Sequence, residues 1–319
     1  MRILRHFNAV PNDARDGVVV LGNFDGVHRG HQAVIGRAAV DARRLGAPLV
    51  ILTFEPHPRR FFRPDEPPFR ITPFRSKAIQ LAALGVDVLM VLRFDEAMSK
   101  MHAEDFVRNV LIGGLAPRQV TVGYDFHFGH KRGGTPAMLQ EMMPAAGDCR
   151  VDVVEPVASA DGEVYSSTKI RDYLATGRPG LAAALLGRPF EIEGRVERGD
   201  QRGRTIGFPT ANLTLGAYLR PAFGVYAVRA GIGDGDAPEW FDAVANLGVR
   251  PTVDGQRLLL ETHLFDTDRD IYGQHLRIGL IEYIRPERRF DGLDALKAQI
   301  AEDCAAARRI LRTRAAGAA

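Results

Sequence analysis

The spacing of apolar residues changes character once along this chain, near residue 190, and that change limits it to two different folds in series. Before it, short β-branched runs alternate with stretches of helical period. Val18–Leu21, Leu49–Phe54, Val86–Leu92, Gln119–Gly123 and Val151–Val154 read as strands, while His31–Leu45 and Phe74–Leu84 carry apolar residues at helical spacing. Nearly continuous apolar strands separated by helices predict a parallel sheet covered on both faces. Right-handed crossovers then make it a doubly wound, Rossmann-like α/β domain. Beyond the change, strand-like segments follow one another without helices: Phe190–Val196, Gly224–Ala230, Phe241–Asn246, Leu258–Phe265 and His275–Ile284. Leu276, Ile278 and Leu280 alternate with polar or small residues, the pattern of a half-buried antiparallel strand. With Gly- and Asp-rich turns such as Gly231–Gly235 between them, these segments predict a small closed barrel.

The chain ends in a predicted helix. Asp291 with Asp294 reads as a capping box, and Leu293, Leu296, Ile300, Cys304, Ala307 and Leu311 as one apolar stripe. The boundary is expected within Gly177–Gly187, giving domains of residues 1–184 and 185–319. A length of 319 residues is comfortable for two such cores.

Composition narrows the function classes. With 45% hydrophobic and 25% charged residues, the chain is an ordinary soluble globular protein. A net charge of +3 suits anionic substrates, and the sequence lacks the aromatic–basic interleave of a nucleic-acid binder, so no nucleic-acid partner is expected. The longest apolar runs, Ala47–Phe54 and Val86–Leu92, are too short to span a bilayer, and the N-terminus lacks the apolar core of a signal peptide. Cys149 and Cys304 have no metal-type spacing. A single disulfide between them stays open, but two reduced thiols in a cytoplasmic protein is the simpler reading. Nothing in the sequence sets an oligomeric state.

Gly22-Asn23-Phe24-Asp25-Gly26-Val27-His28-Arg29-Gly30-His31 follows the first strong strand and opens the first strong helix. A strand-to-helix turn at the carboxyl edge of a parallel sheet presents free backbone N–H groups and the positive helix end, where phosphate binds. His28 and His31 can converge there and stabilise charge on a phosphate under attack. A zinc pair would need a third ligand, and none is evident. Ser166-Ser167-Thr168-Lys169-Ile170-Arg171 supplies a second anion cradle, with a plain helix cap as the competing reading.

Together these segments resemble the signature of the nucleotidyltransferase superfamily. Thr53-Phe54-Glu55-Pro56-His57-Pro58 and Val122–Gly129 sharpen the likeness to the FMN adenylyltransferase modules of prokaryotic FAD synthetases. The resemblance implies that Gly22, Asn23, Phe24, Asp25, Gly30, Ser166, Ser167, Thr168 and Arg171 hold nucleotide phosphates, that His28 and His31 are catalytic, and that Pro56, Pro58 and Asp125 contact the flavin. The chain departs from the family at Val164, where a basic residue is usual.

Gly203-Arg204-Thr205-Ile206-Gly207-Phe208-Pro209-Thr210-Ala211-Asn212 is a second Gly-rich loop, without the Gly-Lys-Ser/Thr ending of a P-loop. It resembles the Gly-Phe-Pro-Thr-Ala-Asn element of riboflavin kinases. That likeness implies a nucleotide site at Gly203, Arg204, Gly207, Pro209, Thr210 and Asn212, with Thr210 and Asn212 sharing Mg²⁺. Residues two apart on an extended segment do point the same way, and both offer the oxygen that magnesium prefers. Glu261 sits in an otherwise apolar strand, where pattern alone leaves a wet-face carboxylate and a functional one equally open. In riboflavin kinases the matching glutamate is the base. The whole chain is therefore identified as a member of the prokaryotic bifunctional riboflavin kinase/FMN adenylyltransferase family. Membership implies ATP, riboflavin, FMN and FAD as substrates and products.

Overall fold

The structure, a computed structural model, describes residues 1–159, 162–198, 207–233, 237–252 and 255–316. They fall into two compact units, Met1–Pro67 with Thr72–Ser166, and Pro68–Ile71 with Ser167–Ala319.

In the first unit, β1 (Arg2–Leu4), β2 (Val18–Leu21), β3 (Leu49–Glu55), β4 (Val88–Arg93), β5 (Gln119–Gly123) and β6 (Arg150–Val154) form one sheet in the order β1-β4-β3-β2-β5-β6. Every pairing is parallel. Helices α1 (Arg29–Leu45), α2 (Pro58–Phe62) and α3 (Phe74–Ala83) follow β2 and β3. Val18, Val20, Leu49, Ile51, Leu89 and Val91 pack in one buried cluster with Ile35, Ala38 and Ala42 of α1 and Leu81 of α3. The alternate residues Val19, Leu21, Val50, Leu52, Met90 and Leu92 face a second cluster. Both faces are thus dry, as a parallel sheet requires.

The second face is covered by a run that sequence pattern does not signal. Helices α4 (Glu96–Lys100) and α5 (Ala103–Asp105) lead into a π-helical stretch, Phe106–Leu115, whose Phe106, Val107, Val110 and Leu111 are buried. A π-helix shifts the apolar period away from the 3.6 on which helix recognition depends. Its Gly114 lets the chain approach Phe7, because a Cβ there would stand 2.7 Å from the Phe7 carbonyl oxygen. Helix α6 (Pro136–Ala145) precedes β6.

The topology fixes where a ligand can bind. From β2 the chain winds outward through β3 and β4, then returns to the other side of β2 to lay down β5 and β6. The carboxyl end of β2 is therefore the switch point, the crevice where open α/β sheets bind ligands.

The second unit begins with α7 (Ser167–Ala175) and α8 (Pro179–Leu186) and continues into an antiparallel sheet. Its strands are β7 (Phe190–Arg195), β8 (Ala211–Thr214), β9 (Gly224–Ile232), β10 (Glu239–Thr252), β11 (Gly255–Leu264) and β12 (His275–Arg285), in the order β7-β12-β9-β10-β11-β8. The Glu197 N–H donates to the Asn212 carbonyl at 2.9 Å, so the chain leaving β7 reaches the other edge strand and the sheet nearly closes into a barrel. Residues directly opposite share a face. Leu213, Leu260 and Leu247 align across three strands, as do Ala211, Thr262, Ala245 and Tyr226, and all are buried. These point inward; their neighbours in sequence point out.

Helix α9 (Leu293–Ala316) packs on the outside, where Ala307 and Leu311 meet Val225, Ala227, Val244 and Phe265. The expected capping box gives way to a later start, because the Leu296 N–H donates to the carbonyl of Gly292. The expected stripe is also altered. Leu293 is 63% exposed, and the buried positions in the first half of α9 are the polar pair Gln299 and Asp303. Arg285 explains them: its guanidinium donates to both oxygens of Asp303, at 2.8 and 2.6 Å, and Gln299 donates to Asp303 at 2.9 Å. Cys149 and Cys304 are free thiols, each pushed up to about 11 by burial. Among the described residues no helix is long and apolar enough to cross a membrane.

Candidate active sites

After Leu21 the chain makes one more sheet bond, from the Gly22 N–H to the Leu52 carbonyl, and then turns sharply. Phe24, Gly26 and Val27 all have positive φ, at 50°, 93° and 44°. For the two non-glycine residues such a backbone costs about 1–3 kcal/mol each. Burial offsets it: Phe24 and Val27 are only 2% and 1% exposed. The Phe24 ring folds back over Gly22, where a Cβ would meet it at 2.9 Å. Asp25 is buried and braces the turn, its carboxylate accepting from the Thr72 N–H at 3.0 Å while Gly26 N–H donates to the Thr72 hydroxyl at 2.8 Å.

His28 is the N-cap of α1, and its Nδ1 accepts from the His31 N–H at 3.3 Å. That bond leaves the ring proton of a neutral His28 on Nε2. The His28 and His31 rings stack with centroids 3.6 Å apart, and the Phe24 edge abuts His31 at 5.3 Å. His31 Nδ1 is buried and has no hydrogen-bond partner among the described residues. Burial holds the His31 pKa well below its ordinary 6.5, and the neighbouring His28 and Lys77 press it further down. Gly30 gives the His28 ring its room, since a Cβ there would stand 3.1 Å from it.

Lys77 on α3 is fully buried. Its ammonium donates to the Asn23 carbonyl at 2.9 Å and lies 3.3 Å from the Glu55 carboxylate. The Thr53 hydroxyl reaches the same Asn23 carbonyl at 3.4 Å. Carbonyl and N–H point opposite ways across a trans peptide. Pinning the Asn23 oxygen therefore turns the Phe24 N–H the other way, as an anion-binding turn needs.

The flavin candidates lie at the same sheet edge, since β3 and β5 both flank β2 in parallel. Pro56 follows β3, and Pro58 opens α2 behind the His57 cap. Asp125 is exposed in the turn after β5, closed by the Phe126 N–H to the Gly123 carbonyl at 3.0 Å. Phe54, Phe61 and Phe94 form one run of edge contacts, and Phe54, Phe106, Phe128 and Phe126 a second run of tilted and stacked rings. Ser166 closes the first unit; Ser167, Thr168 and Arg171 stand on α7 in the second. Arg171 donates to the Phe69 carbonyl at 2.9 Å and its guanidinium lies over the Phe69 ring. Val164 is exposed and bridges Ala158.

In the second unit the register assembles the site. Glu261 of β11 pairs with Asn212 of β8 on one side and Asn246 of β10 on the other, so the three form a row on the outward face. Asn212 is 7% exposed, and its Oδ1 has no partner among the described residues. Thr210 lies two residues before it, just ahead of β8. The His263 ring hydrogen-bonds the Pro209 carbonyl at 2.8 Å and meets Phe208 edge-on, anchoring the end of the loop at Gly207–Thr210. Gly203 and Arg204 lie outside the described residues. Arg250 donates to one oxygen of Glu261 through Nε, at 2.9 Å, and through Nη2.

Comparison with known proteins matches both halves. The family model described as FAD synthetase covers residues 10–169, and that described as riboflavin kinase covers residues 186–311. The bifunctional riboflavin kinase/FMN adenylyltransferase of Escherichia coli K12 is 42% identical over 305 residues, spanning 95% of this chain and 96% of its own. The chain belongs to the bifunctional riboflavin kinase/FMN adenylyltransferase family.

The Bacillus subtilis member is 37% identical, with 95% of each chain covered. A crystal structure described as the macrolide-efflux protein of Streptococcus pneumoniae is 32% identical, with a TM-score of 0.84 over 97% of this chain and 99% of that one. Within this family frame, Thr72 and Lys77 carry no local sequence signal, while Arg250 and His263 lie in segments, Asn246–Thr252 and Leu258–Asp266, that resemble riboflavin kinases but mark no role for them. Each is brought in by tertiary structure from a segment that otherwise reads as a loop, an amphipathic helix or a strand. Buried Lys77 is the hardest to foresee, because a lysine at helical spacing is normally exposed.

Proposed function

We propose that this enzyme makes FAD from riboflavin in two ATP-dependent steps. Residues 185–319 phosphorylate riboflavin to FMN, and residues 1–184 adenylylate FMN, releasing pyrophosphate. One observation carries the reading: one unit sets His28 and His31 at the turn that opens α1, and the other aligns Asn212, Glu261 and Asn246 across three strands.

In the kinase half, Thr210 and Asn212 would hold Mg²⁺. The buried, unpartnered Asn212 Oδ1 and a threonine hydroxyl two residues away are neutral oxygen donors of the kind magnesium accepts alongside water and phosphate. Bound there, the ion would neutralise charge on the ATP phosphates. Glu261 accepts the proton of the riboflavin 5′-hydroxyl as that oxygen bonds to the γ-phosphorus. The bond from γ-phosphorus to the ADP oxygen breaks, and ADP leaves. Gly207 and Pro209 shape the loop around the nucleotide.

In the adenylyltransferase half, the FMN phosphate attacks the α-phosphorus of a second ATP and the bond to pyrophosphate breaks. His28 offers its Nε2–H and His31 a neutral imidazole at the turn, with the backbone of Asn23, Phe24, Asp25 and Gly30 supplying N–H groups and Gly22 giving the turn its room. Ser166, Ser167, Thr168 and Arg171 serve the leaving pyrophosphate, and Pro56, Pro58 and Asp125 the flavin. The free thiols agree with a cytoplasmic setting.

Incubation with riboflavin, ATP and Mg²⁺, with flavins separated over time, tests the reading. FMN should rise first and FAD follow. FMN that accumulates without becoming FAD would leave a kinase alone, and no turnover would refute both activities.

A further inference from the structure

Glu261 stands between two asparagines in the register, yet its recorded hydrogen bonds come from Arg250. Asn246 instead donates to Glu287, at 3.0 Å. Arg250 lies four residues along β10 from Asn246, on the same outward face by the strand's alternation. Position 248 between them is glycine, where a Cβ would meet the Glu287 carboxylate at 1.9 Å. The gap admits Glu287 to Asn246 and leaves Arg250 to Glu261. The result is lopsided: both Arg250 bonds fall on Glu261 Oε2, and Oε1 has no partner among the described residues.

We propose that Arg250 is the positioning residue of riboflavin phosphorylation, gripping one oxygen of Glu261 so that the other is presented to the substrate hydroxyl. The proposal rests on Glu261 being the base. A carboxylate in a half-exposed strand otherwise rotates freely about its last bonds. A planar guanidinium with two N–H groups on one oxygen removes that freedom, which a lysine ammonium on a flexible stem does not. The proton then passes from the hydroxyl to Oε1, the new O–P bond forms, and the bond to ADP breaks. Stability is the wrong explanation for the pair. The Arg250 and Glu261 side chains are 53% and 22% exposed, and ion pairs this open contribute little to folding.

The test uses the full chain and compares Arg250→Met, Arg250→Lys, Glu261→Gln and the double variant Arg250→Met/Glu261→Gln. FMN formation is resolved into kcat and KM, and urea unfolding of the full chain serves as the folding control. Arg250→Met should lower kcat for FMN formation about tenfold to a hundredfold, the scale of a misplaced catalytic group, with KM for riboflavin and Mg·ATP little changed. Arg250→Lys should recover only part of the loss. In the Glu261→Gln background, Arg250→Met should cost nothing further on the residual rate, because residues that act as a unit are not additive. An unchanged kcat in Arg250→Met, or the same loss in both backgrounds, would overturn the proposal; the second result would place Arg250 on the nucleotide directly. Full kinase activity in Glu261→Gln would instead refute the base assignment, and the proposal with it.

Discussion

Asn23 shows how much of a site can rest on one backbone carbonyl. Two side chains converge on its oxygen, Lys77 from α3 and Thr53 from β3, and together they set which way the next N–H faces. Replacing Lys77 with methionine keeps the bulk and removes both the donor and the charge. The Lys77–Glu55 pair is lost, and because the Glu55 side chain is 20% exposed the cost should be about 1–3 kcal/mol. Denaturant unfolding checks this, and the same variant should form FAD from FMN more slowly while phosphorylating riboflavin normally. Equal slowing of both reactions would show that Lys77 only supports the fold. His31 gives a pH signature. Unfolded, it titrates near 6.5; folded, burial, His28 and Lys77 keep it neutral well below that. Between these values the unfolded chain binds the extra proton, so stability is full above about pH 6.5 and declines as pH falls below it. Melting curves from about pH 5 to 8 should show that decline, and His31→Asn should flatten it. An unaltered slope in the variant would mean that His31 is not the group responsible.

At the scale of elements, legibility follows how local the cause is. The turn from Gly22 to His31 could be read because its glycines, cap and helix start lie within ten residues of one another. The central strands could be read because burial on both faces leaves continuous apolar runs. β1 could not, because three residues carry no period, and the π-helix at Phe106–Leu115 could not, because its period is shifted. Helix α9 was legible in existence and, at Ala307 and Leu311, in the second half of its buried face, but not in the first half. A wheel counts Leu293 as core, whereas the fold buries Gln299 and Asp303 because Arg285 of β12 is waiting for a carboxylate. No local pattern reports a partner eighteen residues upstream. Asp303→Ala should destabilise the second unit by about 3–5 kcal/mol, since it strands a largely buried guanidinium. Urea unfolding measures it, and a loss below about 1 kcal/mol would show that water replaces the carboxylate at no great cost.

Over the whole molecule, the change of pattern near residue 190 separates an α/β sheet from a barrel, and under the proposed function each fold would carry its own kind of phosphate site. The parallel sheet offers a switch point at β2 and a helix N-terminus. The barrel instead uses strand register to align Asn212, Glu261 and Asn246. The central claim is that these are two active sites in one enzyme of the bifunctional riboflavin kinase/FMN adenylyltransferase family. The most direct measurement assays both reactions separately in two variants, His28→Ala/His31→Ala and Glu261→Gln. Removing preorganised donors of this kind costs about a hundredfold or more in rate. The histidine variant should lose FAD formation from FMN and still phosphorylate riboflavin; Glu261→Gln should do the reverse. If either variant, still folded, lost both reactions together, two independent sites would be the wrong account.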